Sequence, residues 1–261
     1  MSKAVKIWLI IAASLILVGG LIFVGAMTVN GWDFAAMSTY EYETNEYEIT
    51  EEFTSISIVT DVTDVELISA DGEKCIVECY EETGLKHEVS VKGGTLTIEL
   101  TDTRKWYEHI GIGFGSSKIT VRVPKEIYDK ISVKTSTGDI KIENISASSI
   151  ALNLSTGEST LRDIECKSLL SEGSTGDISM ERLVATEKIL IERDTGDVSF
   201  NACDAAEIFV ETDTGDVRGS LLSQKVFITN TDTGKVSVPN SIEGGRCKID
   251  TDTGDIILTV K

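Results

Sequence analysis

Carboxylates at a fixed spacing are the residues of this 261-residue chain best placed to do chemistry. One column reads Asp139, Glu158, Asp177, Asp197, Asp216, Lys235 and Asp255. Another reads Ser136, Ser155, Ser174, Asp194, Asp213, Asp232 and Asp252. Stacked at the strand spacing of about 4.8 Å, such carboxylates repel one another, and calcium held by their oxygens is one relief. The candidate ligands are Asp194, Asp197, Asp213, Asp216, Asp252 and Asp255. Two features argue against calcium. Lys235 interrupts the first column, and the doubled glycine of calcium-binding β-rolls is missing. Turn residues facing solvent, where salt screens repulsion within about 10 Å, account for the columns without a cofactor.

The other reactive side chains are sparse. His87 and His109 are too few for most zinc sites without cysteine help. Cys203 falls where Ile145, Ile164, Leu183 and Leu222 fall in other repeats, and Cys247 matches Ile150, Ile189, Ile208 and Phe227. Both read as small core hydrophobes. Cys75 and Cys79 share a strand face but are about 13 Å apart, too far for a disulfide. The glycine-rich run Gly111–Gly115, followed by Ser116-Ser117-Lys118, matches neither nucleotide fingerprint and reads as a connector. No catalytic residue is expected.

The elements that must carry these residues follow from a repeat. A Thr-Gly pair recurs with glycines at Gly138, Gly157, Gly176, Gly196, Gly215, Gly234 and Gly254, at intervals of 19, 19, 20, 19, 19 and 20 residues. Apolar residues alternate around each glycine: Ile131 and Val133 before Gly138, Ile140 and Ile142 after it. Period two means strands with one buried face. Each repeat is expected to give two short strands joined at a Thr-Gly-Asp corner, where glycine accepts positive φ. One repeat cannot bury its own face, so neighbours must stack as parallel strands. The expected fold is all-β: a single-stranded β-solenoid, like a parallel β-helix or β-roll, with 19–20-residue coils after one transmembrane α-helix.

Ile56, Ile58, Thr63-Asp64-Val65 and Leu67 hold the same offsets in worn form, with Thr63 at the glycine position. Strands are also expected at 75–80, 85–91, 95–100 and 118–123. The expected divisions are a cytoplasmic tip (1–6), a membrane anchor (7–29), a stalk and first strand (30–50), an irregular β portion (51–124) and regular repeats (125–261). The chain stops inside a repeat, so Ile256, Ile257, Leu258 and Thr259 are expected to form a bare edge open to strand addition or self-association.

An N-terminal apolar span, Trp32-Asp33-Phe34, and then a series of Ser/Asp-Thr-Gly-Asp-Ile/Val units resemble the bacterial "putative adhesin" family of β-strand repeats, domain of unknown function 4097. The resemblance covers most of residues 32–261. It implies a β-solenoid ectodomain on a bacterial envelope protein with adhesion or envelope-stress roles, and it supplies no catalytic residues. Ser159 and Lys235 depart from the unit.

Ile7 to Val29 carries no charge over 23 residues, longer than a signal-peptide core. Lys3 and Lys6 precede it and no base follows until Lys74, which places the N-terminus inside and the C-terminal domain outside the cell. Cleavage near Gly25-Ala26 is the signal-peptide alternative. The whole chain has 43 acidic and 24 basic residues, a formal charge of −19, so nucleic acid is not an expected partner. The expected function is a membrane-anchored, acidic surface module for adhesion or envelope stress that binds an envelope protein or glycan. A calcium-binding surface repeat protein is one alternative. A polysaccharide-active β-helix enzyme is another, but uniform repeat lengths leave no inserted loops to build a cleft. With only about six residues expected inside, too few for a signalling domain, a sensor role would need a membrane partner to relay the signal.

Overall fold

A computed structural model describes residues 2–32, 40–70, 72–105 and 115–261. The protein is all-β with one N-terminal helix, α1 (Lys3–Val29). The first strands are β1 (Tyr42–Ile49), β2 (Ser55–Val59), β3 (Thr63–Ser69), β4 (Cys75–Glu82), β5 (Leu85–Lys92), β6 (Thr95–Asp102) and β7 (Ser117–Val123). The repeats follow as β8 (Ile127–Thr137), β9 (Ile140–Thr156), β10 (Ser159–Thr175), β11 (Ile178–Thr195) and β12 (Val198–Thr214). Five shorter strands close the series: β13 (Val217–Leu221), β14 (Lys225–Thr233), β15 (Val236–Ser237), β16 (Gly245–Thr253) and β17 (Ile256–Val260). Residues 33–39 of the expected stalk, Asp33 and Phe34 among them, and His109 with Gly111–Phe114 of the glycine-rich run lie outside the described residues.

The chain divides into two compact units, Met1–Tyr42 with Arg104–Gly115 and Glu43–Thr103 with Ser116–Lys261. In the first, α1 has Ser2 as its N-cap, whose hydroxyl accepts from Val5 N at 3.4 Å. The apolar window of α1 is unburied, and the helix is long and apolar enough to be a membrane span or a signal sequence.

In the second unit, β8 to β12 stack in parallel and in register. Ile131, Ile150, Leu169, Ile189 and Ile208 pair in turn along one buried column. Each fully buried isoleucine contributes roughly 1.5–3 kcal/mol, so the column is a spine of the core. The worn repeat joins in the expected register, with Ile56 beside Ile131 and Val65 beside Ile140. β2 and β3 therefore belong to the stack although they precede residue 124. Beyond them pairing turns antiparallel: β4 runs against β7, and β5 against β6 across the Gly93-Gly94 turn.

Each full repeat is one long strand run with three inward groups, not the expected two strands. In β9 these are Ile140 and Ile142, then Ile145 and Ala147, then Ile150, Leu152 and Leu154. A left-handed residue six positions after the glycine makes the extra bend: Asn144, Asp163, Arg182 and Ala202, with φ of 57°, 53°, 52° and 54°. The 20-residue interval after Gly176 places its extra residue between Ala185 and Lys188, at the third bend. The repeat after Gly215 lacks the left-handed residue. There Leu221, not Leu222, takes the inward place beside Cys203.

The regular order breaks after Leu221. β12 pairs through Glu207–Thr214 with β16, and β16 in turn pairs with β14. β17 likewise lies between β13 and β15. The segment Gly245–Val260 is thus interleaved beneath the segment that precedes it in sequence. Lys225 at the start of β14 is buried, and its Nζ lies 2.5 Å from Asp204 Oδ1 and 2.7 Å from Ser223 Oγ.

Candidate interaction surface

The Thr-Gly-Asp corners stack directly on one another. Gly157 N donates to Thr175 O at 3.0 Å, Gly176 N to Thr195 O at 2.9 Å, and Gly196 N to Thr214 O at 2.9 Å. A Cβ on Gly157 would lie 2.2 Å from Gly138 O, and one on Gly176 2.0 Å from Gly157 O. The contact leaves no space for a side chain, which is why the corners from Gly138 onward are glycine. Gly215 and Gly254 continue the column, and Gly234 ends it.

The aspartate after each glycine is occupied with backbone. Asp64 Oδ1 accepts from Asp139 N at 2.9 Å, and Asp139 Oδ1 from Glu158 N at 2.8 Å. Asp177 accepts from Asp197 N, Asp197 from Asp216 N, Asp216 from Asp255 N, and Asp255 from Lys235 N, at 2.6–2.9 Å. Each of these six aspartates ties its repeat to the next. Lys235 interrupts the sequence column, yet in space it is the last member and has no further amide to cap. Three of the six calcium candidates, Asp197, Asp216 and Asp255, therefore have an oxygen committed to protein donors. Arg218 Nη2 also reaches Asp216 Oδ2 at 2.6 Å and Asp255 Oδ2 at 3.2 Å.

The other three candidates, Asp194, Asp213 and Asp252, are exposed. Asp194 and Asp213 line an open polar cleft of about 420 Å³ with Glu172, Glu192 and Glu211. Arg193 is also part of this cleft. It is 4% exposed, points inward where Leu154 and Thr212 stand in other repeats, and donates to Ser171 Oγ at 2.8 Å and to Glu192 O. Gly173 leaves the room for it: a Cβ there would lie 2.6 Å from Arg193 Nη1. Burial lowers the arginine pKa from its ordinary value. The outward rows of the first two inward groups carry opposite charges, with Arg162 between Glu143 and Glu181 at 2.7 and 2.8 Å, and Arg182 on Asp163. Such exposed pairs set the surface pattern more than the stability.

The expected bare edge is displaced. Ile256 and Ile257 are paired on both sides, with Val217 and Arg218 and with Val236 and Ser237. Among the described residues Leu258 and Thr259 pair on one side only, with Gly219 and Ser220, so the displacement applies to Ile256 and Ile257, while Leu258 and Thr259 keep an open flank. The outer strands are β14 and β15, which expose Ile228 and Val236. The reason is the interleaving, which the repeat period does not record.

All five cysteines are free and buried. Burial pushes the Cys75, Cys79, Cys166 and Cys247 thiols up to about 12, so with no metal bound they are neutral at physiological pH. One grouping was not foreseen: Cys79, Glu81 and His87 converge across the β4–β5 turn. The sequence signal was the inward alternation of Cys79 and Glu81, with a histidine just past the turn.

Comparison with solved structures gives the same architecture. The crystal structure of a putative adhesin from Bacteroides fragilis NCTC 9343 matches with a TM-score of 0.54 at 20% identity, over 84% of this chain and 97% of that one. A putative adhesin from Parabacteroides distasonis ATCC 8503 matches with a TM-score of 0.51 at 10% identity, over 84% and 98%. At these identities the likeness establishes the fold. Comparison with curated proteins finds no match. The family model Toastrack DUF4097 matches residues 53–194, from just before β2 to the penultimate residue of β11. The chain belongs to the Toastrack DUF4097 family.

Proposed function

We propose that this protein is a membrane-tethered, outward-facing β-solenoid whose acidic face binds basic groups on a partner protein or glycan of the cell envelope. In this reading each 19–20-residue repeat is one turn, α1 is the anchor, and Lys3 and Lys6 keep the N-terminus inside. The adhesin names of the two similar solved structures support a role in surface attachment. The observation that carries the proposal is the row Glu172, Glu192, Glu211 and Asp250, which stack on adjacent strands beside exposed Asp194, Asp213 and Asp252. An open face of like charge repeated along the stack suits multivalent attachment to an extended cationic partner. The open polar cleft lacks the enclosed apolar setting of an enzyme site, which favours a binding module over a polysaccharide-active enzyme.

The test uses cells producing the full chain, or the triple variant Glu172→Lys, Glu192→Lys and Glu211→Lys. Both are assayed for attachment to polylysine-coated beads and to neighbouring cells. The proposal expects salt-sensitive attachment by the parent and its loss in the variant. Equal attachment by both overturns the role of the acidic face. Protection of the β unit from protease on intact cells overturns the topology.

A further inference from the structure

We propose that Cys79, Glu81 and His87 form a structural zinc site in the antiparallel part of the β unit. Alternation along β4 points Cys79 and Glu81 to the same side, and the turn at Glu82 and Leu85 brings His87 of β5 back beside them. Their relative exposures are 0%, 0% and 2%. One ligand atom from each, a thiol sulfur, a carboxylate oxygen and an imidazole nitrogen, all lie within 4.8 Å of one another. Zinc bonds of about 2.0–2.3 Å in a tetrahedral arrangement set such atoms roughly 3.3–3.8 Å apart, and these three side chains supply three of the four positions, leaving the fourth to a water. The Nδ1 to Oε2 separation of 2.7 Å must widen slightly, and the longest separation must close by no more than about 1.5 Å. Both are within reach of side-chain rotation.

The surrounding contacts are those a metal site needs. The far imidazole nitrogen, Nε2, lies 2.9 Å from Thr60 Oγ1, and so the ring is held with Nδ1 toward the cluster. The second carboxylate oxygen, Oε1, accepts from Asn45 Nδ2 at 2.8 Å, while His87 N donates to Oε2 at 2.7 Å. A buried carboxylate is costly without a compensating charge. A divalent ion with one thiolate, one carboxylate and a neutral imidazole sums to zero. Mixed sulfur, nitrogen and oxygen donors select zinc over magnesium or calcium. Through Thr60, which follows β2, and Asn45 on β1, the ion would link the β4–β5 hairpin to these two earlier segments.

The experiment strips the full chain, purified in detergent, with a chelator and titrates it with Co²⁺ and then Zn²⁺. The expected result is one Co²⁺ per chain with a thiolate-to-cobalt charge-transfer band, bleached by one equivalent of Zn²⁺. Saturating zinc should also raise the thermal midpoint by about 5 °C or more. Cys79→Ser should abolish the band and Cys75→Ser should leave it. Because Cys79→Ser risks misfolding, X-ray absorption on the zinc-loaded parent protein supplies a second reading, with one sulfur in the coordination shell. Sub-stoichiometric binding, a band that survives Cys79→Ser, or a shell without sulfur overturns the proposal.

Discussion

Ser159 stands in a buried column between Ile140 and Ile178, and its hydroxyl, in a residue 1% exposed, meets no hydrogen-bond partner. A buried hydroxyl without a partner costs about 1–3 kcal/mol. Ser159→Val is expected to stabilise the protein by about 1–2 kcal/mol, read as a higher urea midpoint at unchanged slope. Asp216 shows the opposite case. The amide of Asp255, and after it Arg218, holds the Asp216 carboxyl below its ordinary pKa. The folded state therefore favours the charged form. Its stabilisation is complete above the unfolded value near 4 and fades as pH falls through the lower folded value. Because the side chain is 31% exposed, Asp216→Ala should cost only about 1 kcal/mol, and Asp216→Asn, which keeps an acceptor, should recover most of it. Urea melts at pH 7 and pH 3 should show a smaller acid loss for Asp216→Asn than for the parent. The sequence revealed the aspartate column but not its use, because the bond runs from a carboxylate to an amide one repeat away.

At the scale of the element, period-two alternation and the glycine intervals were enough to give the inward positions and the register of β8 to β12. The additional bend was not legible from them. Asn144 and Asp163 tolerate left-handed backbone, but Arg182 and Ala202 give no such signal, and packing imposes the conformation on them. The glycine corners are strict for a different reason. Gly176 has φ of 130° and faces Gly157 O with no room for a methyl group. Gly176→Ala is expected to cost about 3 kcal/mol or more, whereas Gly72→Ala, with nothing within 4 Å, should fall within about 0.5 kcal/mol of the parent. Thermal unfolding of the two variants side by side makes the comparison. The Cys79, Glu81 and His87 grouping was half visible: the strand pattern put two of its members on one face, but only the turn geometry delivers the third.

Over the whole molecule, a repeat period reports how often a unit returns and nothing about which unit lies beside which. The intervals from Gly215 to Gly234 to Gly254 look uniform, yet the spatial order is Gly215, Gly254, Gly234. The one trace in the sequence was Lys235, tolerated because its place is last. Lys225 and Asp204 bind the displaced segment to β12 across the interleaved layer. Asp204→Ala leaves the buried ammonium without its counter-charge and should cost about 3 kcal/mol. Hydrogen exchange should then show β14 losing protection while β8 to β11 keep theirs; uniform loss along the stack would contradict this division.

The interleaving also fixes an order of events in time. A chain emerging from its N-terminal side presents β14 before β16, but among the described strands β14 has its ladder partner only in β16. At about 5–20 residues per second, the 20 residues from Thr233 to Thr253 take roughly 1–4 s to appear. During that interval β12 has an open edge along Glu207–Thr214, and the apolar side of β14, including Phe227, has nothing to rest on. A chaperone or a second nascent chain would find its best opportunity in that window.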